Sequence, residues 1–199
     1  MGKEHSVIIV PGLGDETRFL AFATRFWRGQ GLEPIVYSVG WRDGENEFLP
    51  KLKRLMGLID KLVGKGNVVS LLGTSAGGSA VLNAFIERKN VVHKIINVSG
   101  RLRTGPVTGF RSFKSKTASS PAFAQSIRLF EAREETLSAV DRRKIMTVRA
   151  LFGDELVPSE TTILQGAYNT VVPTPEHVFS IGMALTLFSE PLIMFLKDK

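Results

Sequence analysis

Three residues far apart in the chain could together do nucleophilic chemistry: Ser75, Asp154 and His177. Ser75 is the centre of Gly73-Thr74-Ser75-Ala76-Gly77, with the apolar run Val68–Leu72 before it and a helix-like pattern after it. In that setting the chain must turn sharply from a strand into a helix. Gly73 and Gly77 leave room for the turn, and the serine hydroxyl is lifted above the sheet edge. The helix that follows points its first amides at the same spot, which favours attack on a carbonyl and the negative charge that results. A serine hydroxyl needs a base to take its proton, and an imidazole base needs a carboxylate on its other nitrogen.

The chain has three histidines. His5 precedes the first apolar run and reads as a solvated terminal residue. His93 lies in the opening half of a strand, where packing is its expected role. His177 ends Pro173-Thr174-Pro175-Glu176-His177, just beyond a β-branched run, and is the one with the address of a base. For the acid, Asp154 follows another strand in Leu151-Phe152-Gly153-Asp154-Glu155-Leu156-Val157-Pro158. It could also cap the turn that starts at Glu155. Glu155 and Asp43 are the runner-up acids, whereas Glu176 would have to fold back to reach its own neighbour. An oxyanion needs two backbone donors. The expected pair is the Ala76 amide and the Leu13 amide, the latter in Gly12-Leu13-Gly14, where glycines let the backbone approach a ligand. That loop fails the dinucleotide fingerprint, because Thr17 stands where its third glycine is required.

Six strands are expected to position these groups: Ser6–Val10, Pro34–Val39, Val68–Leu72, Val91–Val98, Lys144–Phe152 and Tyr168–Val172. Helices are expected at 16–27, with Phe19, Phe22, Phe26 and Trp27 at helical spacing, and at Phe48–Val63 with basic residues outward. Others are expected at Ala76–Arg88, at about 121–139, and from near His177 onward. Alternating strands and helices, without a repeat or a dividing linker, predict a single-domain α/β protein. Its mostly parallel six-stranded sheet would carry helices on both faces. Ligands bind such sheets beyond the carboxyl ends of the strands, where Ser75, Asp154 and His177 all follow.

A chain of 199 residues with 43% hydrophobic content suits one well-buried core. Cysteine is absent, which excludes disulfides, thiolate metal sites and a cysteine nucleophile, and fits a cytoplasmic setting. The apolar stretch Val178–Leu196 is interrupted by Gly182, Ser189, Glu190 and Pro191, so a buried terminal helix is expected rather than a membrane span. The net charge of +7 comes without a nucleic-acid-binding motif, so no nucleic-acid partner is expected.

Pro11–Asp15, Gly73–Gly77, Gly153–Pro158 and Glu176-His177 occur in the order serine, acid, histidine. On these pieces, which span nearly the whole sequence, the chain resembles the α/β-hydrolase family. The resemblance implies Ser75 as nucleophile, His177 as base and Asp154 as its orienter, with no metal or organic cofactor. It also implies a family sheet reduced to six strands, since nothing before Ser6 supplies the first two, and a small member with little or no lid. The family often has His-Gly at the oxyanion loop where this chain has Pro11-Gly12. The expected reaction is hydrolysis of a small carboxylic ester or thioester through an acyl-enzyme. A peptide or amide bond would use the same parts, and a binding protein with an idle Ser75 is the alternative.

Residues 101–125 read as a short, basic, cap-like insertion. Arg101 and Arg103 could steer an anionic substrate, or could be ordinary surface charge. Gly12 and Trp41 could also face the substrate. Phe110, Phe113 and Phe123 could line an acyl pocket or anchor the segment to the core.

Overall fold

The computed structural model describes residues 3–106 and 108–198. Six strands form one parallel sheet in the order β2-β1-β3-β4-β5-β6: β1 (His5–Val10), β2 (Glu33–Val36), β3 (Val68–Thr74), β4 (Val92–Val98), β5 (Ile145–Ala150) and β6 (Tyr168–Val172). The helices are α1 (Thr17–Thr24), α2 (Phe48–Gly64), α3 (Ala76–Arg88), α4 (Phe113–Thr117), α5 (Pro121–Arg133), α6 (Ala139–Arg143), α7 (His177–Leu185) and α8 (Glu190–Lys197).

The β-branched runs are buried on both sides because alternate residues serve different faces. Ile8, Val10 and Leu71 pack with α2, α3 and α5, while Val7, Ile9 and Leu72 pack with α1, α7 and α8. From β1 the chain moves outward to β2 on one side, and from β3 outward to β6 on the other. The reversal opens a crevice at the carboxyl ends of β1 and β3, the usual ligand position in an open α/β sheet.

Several local expectations are corrected. Helix α1 runs into a 3-10 turn at Arg25–Gln30, and only Leu20, Ala23 and Trp27 of its apolar residues are buried, leaving Phe19, Phe22 and Phe26 exposed. The run expected at 121–139 breaks at Glu134. Lys51 on α2 points inward with 0% exposure, and its Nζ donates to Gly40 O and Asp43 Oδ1, both at 2.6 Å. The carbonyl and the carboxylate satisfy a charge that amphipathic patterning alone sends to solvent. His5 is no solvated terminus either: it opens β1 and its Nε2 lies 2.9 Å from Ser70 Oγ. Among the described residues no single helix is long and apolar enough to cross a membrane; α7 and α8 meet at 58°.

Candidate active site

Ser75 sits between β3 and α3 with φ 50° and ψ −119°, a left-handed backbone uncommon for a residue with a side chain. Its neighbours make that turn possible. A β-carbon on Gly73 would overlap the Gly77 carbonyl, and one on Gly77 would overlap the Val10 carbonyl. The turn is held from the sheet as well, because the Ser75 amide donates to Val98 O on β4 at 2.9 Å.

His177 is the first residue of α7 and is 3% exposed. Its Nε2 lies 2.9 Å from Ser75 Oγ and its Nδ1 lies 2.6 Å from Asp154 Oδ2. In that chain of bonds the Nδ1–H donates to the carboxylate, which leaves Nε2 to accept the hydroxyl proton. The two readings of Asp154 hold together, on different oxygens: Oδ1 accepts the Leu156 and Val157 amides at 2.8 Å each. The runner-up acids have other work. Glu155 Oε2 accepts the His177 backbone amide at 3.1 Å, and Asp43 pairs with Lys51. Glu176 caps α7 through the Val178 and Phe179 amides, which hold its carboxyl below the usual range. Its own amide donates to Gly153 O at 3.3 Å, so the loops carrying acid and base are laced together.

The loop after β1 reaches the same place. A β-carbon on Gly12 would stand 2.9 Å from Ser75 Cβ and 3.4 Å from its Oγ. The loop turns where the Asp15 amide donates to Gly12 O at 3.0 Å, and Asp15 Oδ2 accepts the Ser38 hydroxyl at 2.6 Å. Among the described residues the Leu13 amide donates to no protein acceptor, and Ala76, as the first residue of α3, has no intrahelical partner for its amide. Trp41 is buried against Phe48 and Phe123, and its Nε1 donates to Pro11 O at 3.0 Å. In this position it braces the loop from behind.

Of the two arginines, only Arg101 is withdrawn from the surface. Arg101 is 1% exposed, and its guanidinium donates to the carbonyls of Arg103, Thr104 and Arg111, so it folds its own loop. Arg103 pairs with Glu134 and donates to Ile163 O. Arg101 is thereby closed off from solvent, whereas the Arg103 side chain stays 28% exposed. Arg111 was not singled out in the sequence, yet its Nη1 donates to Asp154 O at 3.3 Å and so ties its own loop to the one that carries Asp154. Phe123 is a core residue and Phe113 packs beside it, whereas Phe110 is exposed under Lys116. Among the described residues no cluster of His, Asp or Glu could hold a metal ion.

No protein-family model and no curated protein matches the chain. Solved structures do. One of the metagenome-derived lipolytic enzymes LipS and LipT aligns over 100% of this chain and 96% of its own, with TM-score 0.68 and 12% identity. Est1E from Butyrivibrio proteoclasticus aligns over 96% of this chain and 89% of its own, with TM-score 0.67 and 17% identity. The monoacylglycerol lipase of Paleococcus ferrophilus aligns over 98% and 96%, with TM-score 0.63 and 14% identity. By its parallel sheet, its sharp turn at Ser75 and these likenesses, the chain has the α/β-hydrolase fold.

Proposed function

We propose that the protein is a serine hydrolase that cleaves a carboxylic ester or thioester. One observation carries this reading: the unbroken chain of hydrogen bonds from Ser75 Oγ through both ring nitrogens of His177 to Asp154, at 2.9 and 2.6 Å. In the proposed reaction Ser75 Oγ attacks the carbonyl carbon as its proton passes to His177 Nε2. Asp154 Oδ2 stabilises the imidazolium, and the Leu13 and Ala76 amides receive the oxyanion. The Nε2 proton then moves to the departing alcohol or thiol, leaving the acyl group on Ser75. Water attacks next, giving its proton to Nε2, and collapse returns that proton to Ser75 Oγ and frees the acid. The same parts could open an amide; the fold's likeness to lipolytic enzymes and a monoacylglycerol lipase favours the ester. We read the chain as one domain in which residues 101–125 serve as a short cap.

A fluorophosphonate probe with mass-spectrometric mapping tests the reading. Modification is expected at Ser75, and is expected to vanish in Ser75→Ala and His177→Ala. Folded wild-type protein that takes no label would sink the enzyme and leave a binding protein on a hydrolase scaffold.

A further inference from the structure

The rim of the site carries apolar side chains that the core does not use. Phe19 and Phe22 on α1 and Phe26 in the 3-10 turn after it follow one another at helical spacing on the outer surface, with Phe22 64% exposed. They continue onto α7: a β-carbon on Gly182 would stand 3.3 Å from the Phe19 ring. Along α7 toward the site come Phe179, 52% exposed, and Val178, which directly follows the base His177. Phe152, 69% exposed, donates its amide to Thr174 O in the loop between β6 and α7. Across Asp154 the rim resumes at Phe110, 73% exposed, beside the Arg111 that reaches the Asp154 carbonyl. Soluble proteins rarely gather such side chains in one place without a partner.

Cations accompany these rings. The Arg25 guanidinium lies 3.8 Å from the Phe22 ring centroid, and Lys116 Nζ lies 3.3 Å from that of Phe110. Arg18 stands one turn before Phe22 on the same exposed face of α1, and neither Arg18 nor Arg25 has an ion-pair partner among the described residues. Of the carboxylates nearby, Asp15 is held by the Ser38 hydroxyl, Glu155 by the His177 amide and Glu176 by two α7 amides, while Glu16, just before α1, is exposed. A face of aromatic rings flanked by unpaired arginines and lysines fits the boundary between lipid headgroups and acyl chains. There the rings are buried shallowly and the cations meet anionic headgroups. A second copy of the chain would bring like charge against like, on a protein whose net charge is +7.

We propose that this rim, centred on Phe22 and Phe179, docks the protein on an anionic lipid surface with the Ser75 crevice facing the lipid. The docking does not depend on catalysis, so it is tested with the full-length Ser75→Ala chain, which would leave the lipids intact. Cosedimentation with phosphatidylcholine vesicles, with and without phosphatidylglycerol, is the measurement. Binding is expected to be much stronger with phosphatidylglycerol and to weaken as salt rises. The pair Phe22→Ser and Phe179→Ser, both exposed and so expected to leave thermal unfolding unchanged, should abolish it. The pair Arg18→Gln and Arg25→Gln should weaken binding to the anionic vesicles roughly thirtyfold, at about one kcal/mol per basic residue, and hardly alter binding to phosphatidylcholine alone. No sedimentation with either vesicle would overturn the proposal, as would binding that both pairs leave unchanged. So would a concentration-dependent dimer in ultracentrifugation that the serine pair dissolves, because the face would then belong to a second copy.

Discussion

Asp154 holds His177 with one carboxylate oxygen and its own loop with the other. Oδ2 lies 2.6 Å from Nδ1, while Oδ1 takes the Leu156 and Val157 amides at 2.8 Å. The two duties can be separated. Asp154→Asn keeps a carbonyl oxygen for the amides but turns an NH₂ toward the imidazole, which favours the wrong tautomer. It should lower kcat by roughly 10⁴-fold with unfolding free energy within about 0.5 kcal/mol of wild type. Asp154→Ala loses the loop bonds too, and should also cost about 1–2 kcal/mol of stability. Ester turnover and denaturant unfolding on both variants read the difference; an active Asp154→Asn would remove the orienting role.

Gly12 is tested by its closeness to Ser75, the proposed nucleophile. In Gly12→Ala the new methyl would stand 2.9 Å from Ser75 Cβ, so the hydroxyl or the oxyanion loop must move. A displacement on the order of 1 Å is expected to cost about 100-fold in kcat/KM, while the protein stays folded. Gly77→Ala differs, because its methyl would meet the Val10 carbonyl, which cannot swing aside. A loss of about 3 kcal/mol or more, or failure to fold, is expected there. Thermal unfolding and the labelling rate at Ser75 distinguish the two.

Trp41→Phe removes the Nε1–H donated to Pro11 O and keeps the ring packing on Phe48 and Phe123. If the indole only braces the oxyanion loop, kcat should fall roughly tenfold and KM should hold, at a stability cost of about 1 kcal/mol. A rise in KM alone would mean that Trp41 touches substrate after all.

Folding stability should also fall in mild acid. Burial, and then the neighbouring His93, push the His5 pKa from 6.5 down to about 4; burial and Lys94 lower His93 too. Above pH 6.5 both states are neutral and the native contacts count in full. As pH drops through 6.5 the unfolded chain takes up a proton that the folded one refuses, so stability is lost until about pH 4. Denaturant midpoints across that window should decline, and His5→Gln, which can still bond Ser70, should flatten the decline. An unchanged slope in the variant would assign the effect elsewhere.

The sheet and the sharp turn were legible in the sequence because their causes are local. Continuous β-branched runs leave a strand few alternatives, and β6 and α3 fall where the pattern puts them. Glycines on both sides of Ser75 have a steric reason visible without coordinates. His177 and Asp154 could be chosen because both follow strand ends on one side of a parallel sheet. What the pattern could not decide was which partner a polar or apolar group would find. Lys51 turned inward because a carbonyl and a carboxylate from the preceding loop meet it there, and Arg101 because three carbonyls of its own loop surround it. Phe22 and Phe179 have core-like chemistry, yet the helices present other residues to the sheet. Periodicity reports what a side chain would prefer; only the packed chain determines whether a cavity, a donor or open solvent is waiting for it.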